Sequence, residues 1–167
     1  TEMKLQAMNA QTDYNRRIMD LLYNDKDGLA YTELKDASDS AQRFRDAEAK
    51  IRQEVLGNIQ YVRSRDEFTQ HADSMTTRYN TTMETHEREQ GDKYKDVSFD
   101  NNVHSLKEML QLGAYKNKSM LGKTLDDIKT TIQNVYGDRG EEYVNNLYNK
   151  TVNDIGKSLL ITMQGKE

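Results

Sequence analysis

The sequence has no cysteine, no proline and no tryptophan, and only three phenylalanines among its 167 residues. Without cysteine there is no disulfide, no thiolate metal site and no cysteine nucleophile, and the redox compartment cannot be read from cysteine usage. Without proline the chain lacks the strongest interruption a helix can meet, so long unbroken helices are expected. Extended apolar runs are missing as well. The longest aliphatic run, Leu159-Leu160-Ile161, falls far short of the ~20 residues a helix needs to cross a bilayer, and no membrane span is predicted. The sequence opens Thr1-Glu2-Met3-Lys4 without an apolar signal region, and the expectation is of a piece cut from a longer protein, with any targeting signal outside it.

Charge of one sign is not in large excess: 24 Lys and Arg stand against 28 Asp and Glu, a net charge of -4 with a pI near 5.5. From Val97 onward acids and bases balance, so the surplus acid lies before it, and no basic face stands out. Sequence-independent binding to nucleic acid needs a cluster of Lys and Arg, so nucleic acid is not an expected partner. The composition is polar, with 31% charged residues and a mean hydropathy of -1.00, yet 35% hydrophobic residues suffice for stripes along helices. A chain of this length can bury roughly 70% of its unfolded surface, enough for one domain.

Glycines and capping residues divide the sequence into about six helical segments. The first, Glu2 to Asn24, carries Leu5, Met8, Ile18 and Leu22 on one face and stops at the turn cluster ending in Gly28. In the second, Leu34, Ala37, Ala41, Phe44, Glu48, Ile51 and Val55 recur at three and four, as in a coiled-coil seam broken only by Glu48. Gly57-Asn58 reads as its left-handed stop. Ser64-Arg65-Asp66-Glu67 fits a capping box that starts the third segment, whose face runs through Phe68, Ala72, Met75, Tyr79, Met83 and His86 to a weak point at Gly91. Val103, Leu106, Leu110 and Met109 give a short fourth helix ending near Gly113. Leu121, Leu125, Ile128, Ile132 and Val135 give a fifth, with Thr124, Asp126 and Asp127 suited to its first turn. The last carries Val144, Leu147, Thr151, Ile155, Leu159 and Met163, and Asp138 is suited to cap it, so Gly137-Asp138-Arg139-Gly140 reads as a joint between helices. Period-two alternation is absent over more than a few residues, and strands are not expected. The fold class is all-α: a bundle of about five to six amphipathic helices, elongated if coiled-coil packing prevails, in a single domain over 1-167 with a subdivision point near 91-97.

Few motifs point to chemistry. His86-Glu87-Arg88-Glu89-Gln90 begins like the zinc-protease helix motif, but Gln90 stands where the second histidine would ligate the metal. A helix end with solvated charges is the better reading. His71 and His86 lie about four turns apart and cannot share one ion. Asp126-Asp127 and Glu141-Glu142 suit first turns rather than paired acid-base work. Gly137 to Gly140 has neither the preceding strand nor the Lys-Ser or Lys-Thr of a phosphate loop. The sequons at Asn80, Asn117 and Asn149 arise easily in a chain this rich in Asn and Thr. No catalytic residue, metal ligand or cofactor is expected. Eight Met and ten Tyr leave a helical face with Tyr136, Tyr143 and Tyr148 as a candidate interaction surface, with core packing an equal explanation.

The order of features carries a resemblance. A segment ending in Leu21-Leu22 is followed by a loop with Asp27-Gly28-Leu29-Ala30 and a heptad-like helix. A helix holding His71 through His86-Glu87-Arg88-Glu89-Gln90 comes next, then Tyr136-Gly137-Asp138 before a long final helix. From about Asp20 to Leu160 this resembles helical regions of large virion-associated proteins of tailed bacteriophages, tail-associated or internal and ejected. Some of those carry a lytic transglycosylase domain elsewhere; this sequence holds no recognisable catalytic Glu, so that activity is not carried over. The resemblance implies a structural role in a phage or prophage virion, or in the host cytoplasm, through contacts with other virion proteins or further copies of itself. Two alternatives stay open: a helical subunit of a bacterial secretion or conjugation apparatus, and an enzyme with a site around His86 and Glu87.

Overall fold

Five α-helices and four short 3-10 turns make up 88% of the described residues, with no strand among them; the computed structural model describes residues 1-165. The helices are α1 (Glu2–Tyr23), α2 (Ser40–Leu56), α3 (Val62–Gln111), α4 (Lys118–Tyr136) and α5 (Glu141–Gln164). The chain is all-α, as the stripes imply. It divides into two compact units, Thr1–Tyr94 and Lys95–Glu167, and α3 contributes residues to both.

In the first unit α2 runs back along α1, with Arg17 Nη1 2.6 Å from Glu54 Oε2 and the Gln60 N–H donating to Gln6 Oε1 at 3.1 Å. The first part of α3 runs parallel to α1. Ser64 Oγ donates to the Met3 carbonyl at 2.7 Å near one end, and the Tyr79 hydroxyl meets Met19 Sδ at 4.0 Å further along. Tyr14, Ile18, Leu22, Phe44, Phe68 and Met83 fill the centre, all fully buried, with Tyr14 edge-on to Phe68 at 5.4 Å. Each such side chain contributes on the order of 1.5–3 kcal/mol by leaving water. The second unit repeats the plan with the later part of α3, α4 and α5. The Tyr136 hydroxyl donates to Asp96 near one end, and Gln111 Nε2 donates to Thr162 Oγ1 at 3.2 Å near the other. Phe99, Leu110, Ile128, Ile132, Val144 and Ile155 form its core.

Several local expectations change. The third and fourth predicted segments are one helix: Gly91 sits inside α3, because a mid-helix glycine costs only about 1 kcal/mol and no proline follows. Leu5 and Met8 are 57% and 64% exposed, and the buried face of α1 is Ala7, Ala10, Tyr14, Ile18 and Leu22. α2 begins at Ser40, with Leu34–Ala37 a separate 3-10 turn; Gly57 ends it in right-handed rather than left-handed geometry. The Ser64 box does not form, since α3 starts two residues earlier and the Ser64 hydroxyl is spent on Met3. α4 is capped by Asn117, whose side chain accepts from the Ser119 and Met120 N–H groups, so Thr124, Asp126 and Asp127 lie beyond its first turn. Met109 and Met163 are exposed rather than part of the stripes that hold Leu110 and Ile155. At the α4–α5 joint, Gly137–Arg139 form a 3-10 turn and Gly140 is the cap residue at φ 98°, a left-handed conformation that glycine adopts without strain; Asp138 makes no cap bond. Gly28 has a different reason to be glycine: a Cβ there would lie 2.6 Å from the Leu22 carbonyl oxygen, so the loop passes too close to the end of α1 for any side chain.

Candidate functional site

His86, Glu87 and Gln90 sit on the stretch of α3 that faces the connection between α1 and α2, His86 and Gln90 bonded to the backbone of that connection and Glu87 to the first turn of α2. His86 Nε2 lies 2.8 Å from the Thr32 carbonyl oxygen and 3.3 Å from Thr32 Oγ1. A carbonyl can only accept, so Nε2 carries the proton and has no lone pair to offer a metal on that side. Gln90 Oε1 accepts from the Leu34 N–H at 2.9 Å. It thereby holds the one non-glycine residue among those described with positive φ, Leu34 at 51°. Glu87 Oε1 accepts from the Ala41 N–H at 3.4 Å, in the first turn of α2. Asp39 makes no side-chain cap there, so a carboxylate from α3 stands near the positive end of the α2 dipole instead. The motif that begins like a zinc-protease helix is in place a clamp on a loop. No group of three or more His, Cys, Asp or Glu among the described residues is placed to hold a metal ion.

Beside the clamp lies an open cleft of about 560 Å³ bordered by Tyr23, Tyr31, Thr81, Thr82 and Glu89, with the two tyrosine rings edge to face at 6.2 Å. Its polar groups are hydroxyls, one carboxylate and the His86 ring, whose Nε2 is turned to Thr32. The other histidines have their own partners: His71 Nε2 is 2.7 Å from Asn15 Oδ1, and His104 Nε2 is 3.1 Å from Glu108.

A second polar constellation was not foreseen as a unit. Glu48, read as the break in the α2 seam, is only 5% exposed. It accepts from the buried Tyr14 hydroxyl at 2.8 Å and from the Arg52 guanidinium at 2.8 Å, while Arg52 also reaches Asp73 at 2.6 Å and Thr76 at 2.8 Å. Burial first, and the neighbouring Glu48 carboxylate with it, pushes the Tyr14 phenol up to about 12. The network joins α1, α2 and α3 through hydrogen-bonded polar groups. Its one sequence signal was a Glu within an apolar stripe, four residues before an Arg.

The tyrosines proposed as a surface do not form one. Tyr136 is 4% exposed, in the core of the second unit against Phe99, and its hydroxyl donates to Asp96 Oδ1 at 2.5 Å. Burial, then Asp96, holds its phenol well above the ordinary range. Tyr143 is exposed and 5.8 Å from Tyr136, with the Arg139 guanidinium over both rings at 5.1 and 5.2 Å. Tyr148 is half-buried and faces Lys129 instead. Tyr136 sits at the end of α4 and the other two on α5; Tyr136 and Tyr143 meet under Arg139, the first buried and the second exposed, while Tyr148 lies apart on Lys129. Of the carboxylate pairs, Glu141-Glu142 does occupy the first turn of α5.

Comparison with protein-family models, with curated proteins and with solved structures returns no match to this chain.

Proposed function

We propose that this chain is a non-catalytic interaction module, and that its place is in a phage or prophage virion, as part of the tail or as an internal protein delivered with the genome. It acts there through helix-mediated contacts with other virion proteins or with further copies of itself. The observation that carries the non-catalytic half is the clamp. His86, Glu87 and Gln90, the residues that most resemble a catalytic motif, each spend a polar atom on the backbone of the α1–α2 connection or of the first turn of α2. A base or ligand needs a group aimed at a reacting atom, and here the Nε2–H of His86, one oxygen of Glu87 and the amide oxygen of Gln90 are aimed at main chain instead. The virion half rests on the order of features from Asp20 to Leu160.

Two measurements test it. Mass spectrometry of purified particles from the source phage or induced prophage should find peptides of this chain at a fixed stoichiometry, and cross-linking should join it to a structural protein. Its absence from particles would refute the virion context. Stoichiometric zinc in the purified protein, lost in His86→Ala, would refute the non-catalytic reading.

A further inference from the structure

The second unit has two unlike ends. At the end where α3 turns into α4 and α5 finishes, large apolar side chains point outward: Leu112 is 87% exposed, Ile161 70% and Leu160 59%, joined by Met109, Met120 and Met163. The hydrogen bond from Gln111 to Thr162 ties the neighbours of Leu112 and Ile161 together, and Gly113 at φ 124° lets the chain turn directly after Leu112. Surface hydrophobics scattered singly are ordinary; a group at one end marks a binding surface.

Lysines outnumber acids at this end, and the bases are of one kind. Lys116, Lys118 and Lys123 follow Leu112 in the turn and the start of α4, and Lys107 and Lys157 precede the apolar residues on α3 and α5, against Glu108, which is paired with His104, and against Asp126 and Asp127 a turn further along α4. Spread over fifty residues of sequence the lysines do not read as a basic patch; the turn and the return of α5 bring them to one end. There is no arginine among them. The arginine of the described part of this unit, Arg139, lies at the opposite end with Asp138, Glu141 and Glu142.

Protein interfaces favour arginine and are depleted in lysine, whereas flexible, strongly hydrated lysines around exposed aliphatic side chains suit a diffuse anionic plane. Lysine stems can lie along apolar surface while the ammonium stays at headgroup level, and the half-buried Tyr115 in the same turn, with Lys116 Nζ 5.8 Å from its ring, is an aromatic of the kind found at that level. We infer that the Leu112–Ile161 end of the second unit is a peripheral docking surface for anionic lipid bilayers, seating Leu112, Leu160 and Ile161 among the acyl-chain boundary with the lysines on the headgroup phosphates. No helix of the described residues is long and apolar enough to cross a membrane, and this docking does not require one.

The test is co-sedimentation of the whole chain with vesicles of phosphatidylcholine alone and of phosphatidylcholine with phosphatidylglycerol. Binding to the anionic vesicles and not the neutral ones is expected, weakening as salt rises. Leu112→Ser with Ile161→Ser should weaken it by about tenfold or more; both sites are exposed, and an unchanged circular dichroism spectrum checks that the variant is folded. Because the chain has no tryptophan, Leu112→Trp places a single reporter at the tip, and its emission should shift to the blue with anionic vesicles. No sedimentation with either vesicle, binding that the double variant leaves intact, or a tryptophan emission that does not move in the Leu112→Trp variant would each overturn the inference. So would a concentration-dependent dimer abolished by the double variant without vesicle binding, which would assign the surface to a second copy, or duplex DNA binding that depends on the lysines alone.

Discussion

The two units share one plan, three helices with the first and third parallel and the second returning between them, yet they place their polar contacts differently. In the first unit buried hydroxyls and a buried carboxylate reach across helices: Tyr14 to Glu48, Arg52 to Thr76, Ser64 to Met3. In the second, the buried threonines turn inward on their own helix, Thr124 to the Met120 carbonyl and Thr151 to the Leu147 carbonyl, and the bonds that do cross, Tyr136 to Asp96 and Gln111 to Thr162, lie toward its two ends. Crossing bonds fix which residue faces which, because any slip would strand a buried charge; self-satisfied hydroxyls fix nothing between helices. A buried ion pair adds little net stability against a well-packed apolar pair, so the difference between the units is one of register more than of strength.

The bluntest way to break the comparison is to charge both cores. Phe44→Asp and Ile128→Asp each place an unpaired carboxylate where the native side chain is fully buried, and each should cost about 4 kcal/mol or more. Thermal denaturation followed by circular dichroism would read it. Wild-type stability in either variant would remove that residue from its core.

A finer cut separates the polar devices. Arg52→Ala leaves Glu48 buried without its cation and should cost about 3 kcal/mol, whereas Glu48→Leu with Arg52→Met should recover most of that. In the second unit Thr151→Val should cost under about 1 kcal/mol, since its hydroxyl serves a carbonyl already bonded in the helix. Urea midpoints compare the three. If Arg52→Ala and Thr151→Val prove equally mild, the contrast between the units fails.

The same network predicts a pH window. Tyr14 is held neutral in the folded state, with its phenol raised from 10.0 to about 12. Between those values the unfolded chain has released the proton and the folded chain has not, so stability falls as pH rises through that interval and the contribution is fully present below it. Tyr14→Phe should make that fall shallower, the remainder coming from Tyr136, whose phenol is raised as well. An unchanged alkaline profile in the variant would place its cause elsewhere.

How much of this was legible in the sequence depends on the reach of each interaction. The α2 stripe at Ala41, Phe44 and Val55 follows from the sequence because helix periodicity is local, and so do Ile128 and Ile132 in α4. In α1 the eye goes to large residues, but the helices approach closely at Ala7 and Ala10, leaving Leu5 and Met8 outside. Ser64 followed by Glu67 has the local pattern of a cap, and a carbonyl from a distant helix takes the hydroxyl instead. The clamp illustrates the limit best. The spacing of His86, Glu87 and Gln90 is visible in sequence, but what they hold lies 46 to 56 residues away, where no periodicity reaches. The lysines around Leu112 gather at one end for the same reason.

The smallest expected effect concerns the helix that both units draw on. Gly91 lies inside α3, and a Cβ built there meets nothing within 4 Å. Alanine would then gain the helix propensity that glycine lacks without displacing a neighbour, and Gly91→Ala should stabilise by about 0.5–1 kcal/mol. The substitution sharpens the comparison because Gly91 falls just before the boundary at Tyr94. If the two units melt separately, the gain should raise the urea midpoint of the first transition and leave the second where it was. A midpoint that stays put or falls would mean that the backbone at Gly91 is not held as helix in solution, and that the predicted break between the third and fourth segments was the better description.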